Sequence, residues 1–437
     1  MPFLDHLSET YFDGRLSPEV RGLMAPLADE RDEVREFIER MCRTMRRQQI
    51  GAKDVSETLA WAIAYFLPKI LPGAWGGSVP PITSEGRHRT IDDYLEYNPW
   101  RALGPGDRFL DLGCGFPPVT SRETAQRFPD VLVTAADPSF ARYLVRHGNG
   151  DYACFGPDTE LLYFQPGANA VERWEELYQD PEDTRTRFRG PLLAALEEGG
   201  GGGTGRARWE QGGFTVVEDP ILDFSAGNLT FAQEGIGAEG LGSYEAVRCL
   251  NVLCYFDRAF RDRTLEWMAD VLVEDGILVT GVNWAGSRHS RLTVLRREDG
   301  SMAAREFAFS IENVRPLEMA AWFALDDDDY ELAALAELIG AVRSSGEFRR
   351  SFDSRMDELL TATGYTSRRT NGYLGFLDET AGSDPLQAAA TVGRQLEEEG
   401  FAEGAAEILR AGGYDAWVNC VGHVAVDPDG LRALPAP

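Results

Sequence analysis

Lysine is nearly missing from this 437-residue chain: Lys53 and Lys69 are the only two, and arginine supplies the rest of its 43 basic residues. Against them stand 71 acids, for a formal net charge of −28 and a pI near 4.6. Acid excess with lysine depletion fits a salt-rich cytosol, where screening weakens the self-repulsion of a strongly charged surface. A GC-rich genome, which also favours arginine, is the alternative. Charge of this sign argues against general binding to a phosphate backbone, although a local basic groove is compatible with it. Long apolar runs are missing too. A membrane helix needs about 20 such residues, and the best stretch, Leu59 to Leu71, is shorter and holds Pro68 and Lys69. The segment MPFLDHLSETYFDGR carries acids where a secretory signal carries bases and then apolar residues. The expectation is a cytoplasmic protein with neither a membrane nor a nucleic acid as partner.

Paired cysteine spacing is also absent. Cys42, Cys114, Cys154, Cys249, Cys254 and Cys420 are scattered, and no metal knuckle or three-cysteine cluster is formed. Buried thiols in a reducing compartment are expected, not an iron–sulfur or zinc site. No internal repeat is apparent, and the dinucleotide signature GxGxxG does not occur after a strand. What is present is a folded composition, with 43% hydrophobic and 11% aromatic residues.

Apolar residues at helical spacing, Pro18 to Arg47 and Asp54 to Leu67, predict a helical N-terminal cap over 1–95, with a Gly/Pro-rich stretch at Pro72 to Pro81. From Arg108 the pattern becomes strand, turn, helix. Arg108–Leu112, Val131–Ala136, Phe214–Glu218, Ala246–Leu250 and Gly276–Val282 read as buried parallel strands, with a helix at Arg258 to Val273. An insertion over 148–213 is helical in its middle, Ala170 to Leu196, and ends in the flexible Glu197–Gly205. A hairpin turning at Asp299-Gly300 follows the fifth strand. The run Asp326 to Asp329 reads as a solvated helix entry, Ser354–Thr363 as a short helix, and Ala416–Val426 as a closing strand. The expected architecture is α/β and Rossmann-like: a doubly wound, mostly parallel sheet of about seven strands. Its core spans 96–147 and 214–315, and a C-terminal helical region, 316–437, completes it.

Two segments carry chemistry. In FLDLGCGFPPVT, Phe109 to Thr120, a buried strand runs through Asp111 into Gly113 and Gly115, whose missing side chains let backbone turn tightly against a ligand. In VTAADPSFARYL, Val133 to Leu144, a strand ends in Asp137, where a carboxylate can accept hydrogen bonds from both hydroxyls of a ribose. The spacing suits adjacent strands of one nucleotide-binding unit.

With these two motifs the chain resembles the class I S-adenosylmethionine (SAM)-dependent methyltransferases, over roughly 96–148 and 212–285. DLGCG looks like their first motif and DPS like their second. The resemblance implies SAM as cofactor, with Asp111, Gly113, Cys114 and Gly115 at its methionine part and Asp137 with Pro138 at its ribose. One departure stands out: where the family continues with a third small residue, this chain has Phe116-Pro117-Pro118, which removes two amide donors.

Further segments extend the resemblance. FTVVEDPILDF looks like the third strand, which makes Asp219 the candidate acid for the adenine, Glu218 its rival, and an exposed strand-end pair the plainer alternative. YEAVRCLNVLCYFD looks like the fourth strand and places Asn251 at its carboxyl end, as a site residue or a helix cap. LVEDGILVTGVNW resembles the fifth strand, and SRMDELLTATGY the late helix, with Gly364 and Tyr365 at its end. The 291–311 hairpin is then an insertion.

Methyl transfer from a sulfonium is an in-line displacement that needs alignment and dryness more than a base. Of the five histidines, His147 falls at the end of a helix after the second strand. His289, after the fifth strand, is the candidate base, with a merely solvated loop residue as the alternative. Tyr163, Phe164, Trp174 and Tyr178 of the insertion read first as packing residues at helical spacing. Because the insertion leaves the ligand edge of the sheet and has a flexible end, it is also a candidate lid over the acceptor, and Trp284 can line the same pocket. The leading expectation is a methyltransferase acting on a small-molecule acceptor. A protein carboxyl methyltransferase and a non-catalytic SAM-binding protein are the alternatives; an NAD-dependent oxidoreductase is disfavoured.

Overall fold

The computed structural model describes all residues except 1, 67, 69–82, 168–175, 178, 199–207, 285, 287, 365, 376–384 and 432–437. The Gly/Pro-rich stretch, Trp174, Tyr178, Tyr365 and most of the glycine linker therefore lie outside the described residues. The described residues are mixed α/β and form two sheets. Among the described residues, no helix is long and apolar enough to cross a membrane.

Among the described residues the larger sheet has nine strands. Five of them run parallel, in the order β8 (Leu229–Ala232), β2 (Leu132–Ala136), β1 (Arg108–Leu112), β9 (Tyr244–Leu250), β10 (Leu272–Val282). In chain order this is 3-2-1-4-5, the order of a Rossmann-like sheet. The antiparallel hairpin β11 (Arg291–Glu298) and β12 (Ser301–Phe309) continues it, followed by β14 (Val424–Val426) and β13 (Ala416–Val418). Among the described residues this sheet has nine strands where about seven were expected, and the 291–311 hairpin belongs to the sheet itself. Ala416–Val426 folds as two short strands about a turn at Asn419–Gly422, not as one.

Alternation along the parallel strands sends side chains to both faces, and both are covered, which is why the strands read as continuous apolar runs. Phe109, Val133, Ala135, Ala246, Ile277 and Val279 pack with Ile91, Tyr94 and Leu95 of helix Arg89–Tyr97. Leu110, Leu112, Ala136, Val247 and Leu278 face Met268 and Val271 of helix Arg258–Val271. The N-terminal helices bury Val34, Phe37, Ile38, Met41 and Met45 of Asp32–Arg47 against Cys254, Val282, Trp322 and Phe323. Cys254 and Val282 lie where β9 and β10 end, so the cap sits at the carboxyl edge of the parallel strands. Trp322 donates to Gln48 Oε1 at 2.7 Å across this contact. Four C-terminal helices, Tyr330–Ser344, Gly346–Ala362, Pro385–Glu398 and Phe401–Ala411, close a separate core against β12 and β14.

The insertion differs most from expectation. Phe214–Glu218 is not the third parallel strand. It is β7 of a second, antiparallel sheet, ordered β5 (Leu161–Gln165), β4 (Tyr152–Phe155), β3 (Tyr143–His147), β7, β6 (Arg208–Gln211). The third parallel strand is Leu229–Ala232, only four residues long. No helix follows the second strand; His147 ends β3 and packs on Phe214, 4.8 Å between ring centres. Hairpin turns at Gly148-Asn149-Gly150 and Gly212-Gly213 make this sheet, with Gly150, Gly212 and Gly213 at positive φ. Its outer face (Val145, Phe155, Phe164, Val216) packs on Phe188 and Leu192 of helix Pro181–Glu198. Five thiols are buried and Cys420 is exposed. The aspartate run is not simply solvated: buried Asp329 caps helix Tyr330–Ser344 through Leu332 N and pairs with Arg261 at 2.6 Å.

Gly281, inside β10, is the tightest point of the main sheet. Its φ is +139°, and a Cβ there would lie 2.1 Å from the Arg291 carbonyl oxygen of β11. Gly281→Ala is expected to lose roughly 1–3 kcal/mol of stability, seen as a lowered urea midpoint; an unchanged midpoint contradicts this close approach.

Candidate functional site

The chain leaves β1 through Gly113 and Gly115, at φ +72° and +69°. That left-handed backbone is nearly cost-free for glycine alone. Gly113 N and Cys114 N both donate to the Ala136 carbonyl at the end of β2, at 2.8 and 3.3 Å. A Cβ on Gly113 would stand 2.4 Å from Cγ2 of Val252, so the turn is pressed against the outgoing end of β9. Gly115 N donates to Asp137 Oδ2 at 2.9 Å, and Oδ1 accepts from Ser139 N and Oγ at 2.9 and 2.5 Å. The glycine turn and the strand-end acid are therefore one hydrogen-bonded unit. It lies beside the switch point of the sheet, where β1 is flanked by β2 on one side and β9 on the other. Pro138 is exposed next to the loop after β8, with its ring 3.5 Å from a Cβ built on Gly235.

Beneath the turn lies a buried ion network. Arg248 of β9 is fully buried and binds Asp111 with two nitrogens, Nε at 3.0 Å and Nη2 at 2.6 Å. Ser121 Oγ donates to the same carboxylate at 2.6 Å. Arg248 Nη1 reaches Asp92 at 2.8 Å and Thr124 at 3.0 Å. Burial pushes the Asp92 carboxyl up to about 6 against the pull of Arg248. The Asp111 carboxylate is thus held inward, which corrects its expected place at the methionine part of a cofactor. The Cys114 thiol is buried, and burial with the charges of Asp111 and Asp137 holds its pKa well above the usual range, so it offers no thiolate.

Three further candidates are relocated. Asp219 is not at the end of a parallel strand; it follows β7, and its carboxylate pairs with Arg142, 2.6 Å to Oδ2, while Glu218 takes the other nitrogen of Arg142 at 2.5 Å. The position after the third parallel strand belongs to Gln233 and Glu234, and the brevity of LTFA concealed it from a periodicity argument. Asn251, at φ +59°, is neither a helix cap nor a free site group. It donates to Asn283 Oδ1 at 2.9 Å and accepts from Asn283 N at 3.1 Å, tying the ends of β9 and β10 together. The cap of the following helix is Asp257.

His289 is not solvated. It is buried at φ +49°; neither ring nitrogen is hydrogen-bonded among the described residues, Glu318 Oε2 lies 3.9 Å from Nδ1, and its backbone N–H donates to Glu312 at 2.9 Å. Burial, with the nearby Arg288 charge, drives its pKa down to about 3, so the ring is neutral. It enters β11, three strands from β1, or about 14 Å at ordinary strand spacing. The structure does not bring it to the glycine turn. Among the described residues no group of histidine, cysteine and acid side chains is placed to hold a metal ion. A cavity of about 620 Å³ lies between helix Arg258–Val271 and β11–β12, lined by Leu265, Ala269, Leu295 and Met302 among others, and it includes none of the candidate residues.

No family model matches the chain, and no curated relative does. Comparison with solved structures returns methyltransferases. PKMT2 from Rickettsia typhi in complex with AdoHcy is 15% identical, with a TM-score of 0.21, over 46% of this chain and 25% of that one. Magnesium protoporphyrin IX methyltransferase from Synechocystis with bound SAM is 15% identical, TM-score 0.21, over 46% and 60%. Coclaurine N-methyltransferase bound to N-methylheliamine and SAH is 13% identical, TM-score 0.24, over 97% and 98%. The first two matches span a quarter and about three fifths of those proteins. At such identities and scores, none of their substrates carries over to this chain.

Two outcomes follow from the buried charges. Arg248→Met leaves Asp111 and Asp92 without their cation and should cost about 3–5 kcal/mol in chemical denaturation; a loss below 1 kcal/mol contradicts the network. For His289, a folded pKa below the unfolded value of about 6.5 stabilises the native state above pH 6.5, and that contribution is lost as pH falls toward 3. Relative to His289→Asn, which tolerates the same positive φ, the wild type should lose about 1.4 kcal/mol per pH unit between pH 6 and 4. Parallel stability curves for the two proteins would show that the ring titrates normally.

Proposed function

We propose that this chain is a SAM-dependent methyltransferase that acts on a small-molecule acceptor by in-line displacement. The observation that carries this is the hydrogen-bonded unit of Gly113, Gly115 and Asp137 at the carboxyl edge of β1 and β2. The residues fit the cofactor. Positive-φ glycines leave room for close backbone approach, and a carboxylate offers about four acceptor positions. Three of those are occupied, one of them by the rotatable Ser139 hydroxyl, which a ribose hydroxyl can displace.

When bound, SAM supplies an electrophilic methyl group on a sulfonium. The chain's own residues then bind, orient and shield. Asp137 would hold the ribose, and Gly113 with Val252 would form the wall under the methionine part. The Asn251–Asn283 pair fixes the ends of β9 and β10, over which an acceptor would lie. The N-terminal cap and the inserted sheet stand over the same edge and would exclude water, which strengthens every polar contact inside. With His289 about three strands from the turn, alignment of an already nucleophilic acceptor does most of the work in this scheme.

Isothermal titration tests the proposal. S-adenosylhomocysteine should bind the wild type, and Asp137→Asn should weaken it about 10- to 50-fold, or about 1.4–2.3 kcal/mol. Binding of NAD with no binding of S-adenosylhomocysteine would overturn it. Tight SAM binding with no labelled methyl transferred to any of a broad metabolite panel would favour the non-catalytic alternative.

A further inference from the structure

The hairpin β11–β12 widens the main sheet beyond β10, and helix Arg258–Val271 leaves part of the added face open. The cavity of about 620 Å³ lies there, between the helix flank and the two strands, within the size range of small-molecule sites. Its helix wall runs from Arg258 to Asp270, about 18 Å at the ordinary rise. Half-buried Leu265, Met302 and Ala304, with buried Ala269 and Leu295, make its floor apolar. Two strands, β9 and β10, separate β11 from β1 and its glycine turn. The cavity is therefore independent of any cofactor bound at that turn.

Two features define what the cavity fits. The first is its charge. Asp262, Glu266 and Asp270 stand at every fourth position of the helix wall, so they follow one another at about 6 Å along it. Among the described residues Glu266 and Asp270 pair with no cation, and Asp262 meets only Arg258, at 3.8 Å. The second is Tyr330, which lines the same cavity and carries the Arg261 guanidinium over its ring at 5.4 Å. Tyr330 is only 3% exposed, and its hydroxyl makes no hydrogen bond among the described residues. Nor is that hydroxyl one of the sealed-in polar atoms, so it opens on the cavity that the residue lines. Burial, with the charges of Glu331 and Asp329, holds its phenol above the usual pKa, so it is protonated and can also accept. Tyr94, Tyr152 and Tyr414, by contrast, donate to Glu306, Gln165 and Glu337, each at 2.9 Å.

We propose that this cavity is a binding site for a linear polyamine. Ammonium groups separated by about four methylenes repeat at nearly the interval of the three acids. The methylenes lie on the apolar floor as a lysine stem lies on a protein surface, and the ammonium groups meet carboxylates. The ammonium beside Asp262 also donates to the Tyr330 hydroxyl, which supplies the partner that hydroxyl lacks. A neutral apolar ligand would leave the acids without cations. A second copy of this chain is a poor occupant, because it carries the same net charge of −28.

The test is calorimetric titration of the full-length chain with spermidine at about 0.15 M salt, where diffuse attraction to an acidic surface is screened. The wild type should bind one spermidine per chain. Glu266→Gln should bind it about 5- to 20-fold more weakly, and Tyr330→Phe about 3- to 10-fold more weakly at an unchanged melting temperature. Ala304→Phe, which fills the floor without altering charge, should abolish binding. Glu239→Gln removes the same charge from an exposed loop outside the cavity and should leave the affinity unchanged. Absence of one-to-one binding by the wild type overturns the proposal. So does an equal loss in Glu239→Gln and Glu266→Gln, which would show that spermidine only joins the counterion atmosphere. Full affinity in Ala304→Phe would place the amine elsewhere and overturn it as well.

Discussion

Arg248 lies fully buried in the main sheet, and its guanidinium is shared among Asp111 on β1, Asp92 on helix Arg89–Tyr97 and Thr124 on helix Val119–Arg127. One cation thus fastens two neighbouring strands and the two helices that cover them. Two carboxylates against one guanidinium leave an excess of negative charge in a dry place, and Asp92 answers by holding its proton up to about pH 6. Burying such a group rarely gains net stability over apolar packing. Its geometry does something apolar packing does not. Fork-like contacts to Asp111 fix how β1 is set against β9, and the glycine turn that leaves β1 is pressed on Val252 as a result.

The sequence discloses this part of the molecule well because its physics is local. Strand, glycine and acid follow one another within 30 residues, and each has a chemical reason to be where it is. Where partners are distant in sequence, legibility fails. Nothing in DLGCG says that Arg248 will claim Asp111, so the acid looks like a ligand group. Asn251 and Asn283 likewise read as separate polar residues until β9 and β10 lie side by side. The third strand fails for another reason: LTFA is too short to show a period, while the inserted FTVVE is a better strand by pattern. The Gly-Asn-Gly and Gly-Gly turns were the available sign that Tyr143–Phe155 and Arg208–Glu218 form hairpins.

His289 shows the limit of placing a residue by sheet edge alone. It does follow the fifth strand, as a base would. The antiparallel hairpin β11–β12 nevertheless carries it away from the switch point and into a buried setting with Glu312. Lateral position in the sheet, and not height above it, separates it from the glycine turn. The N-terminal cap and the inserted sheet, by contrast, come from separate parts of the sequence: the cap packs on Cys254 and Val282 at the ends of β9 and β10, and the sheet packs on Phe116 after the turn that leaves β1. Under the proposed function, an acceptor entering there would be enclosed by parts of the chain that lie outside the parallel core.

The inserted sheet leaves and rejoins the core at nearly one point. Asp219 N donates to the Arg142 carbonyl at 2.8 Å, and the Arg142 side chain grips Glu218 and Asp219. A segment whose two ends are a single hydrogen bond apart behaves as a plug-in part. Its removal or exchange leaves a gap that a few residues can span, and the entropy of closing so short a gap is small. The parallel core between β2 and β8 is thereby insulated from change in the insertion, so a lineage can vary the inserted sheet while leaving the parallel frame as it is.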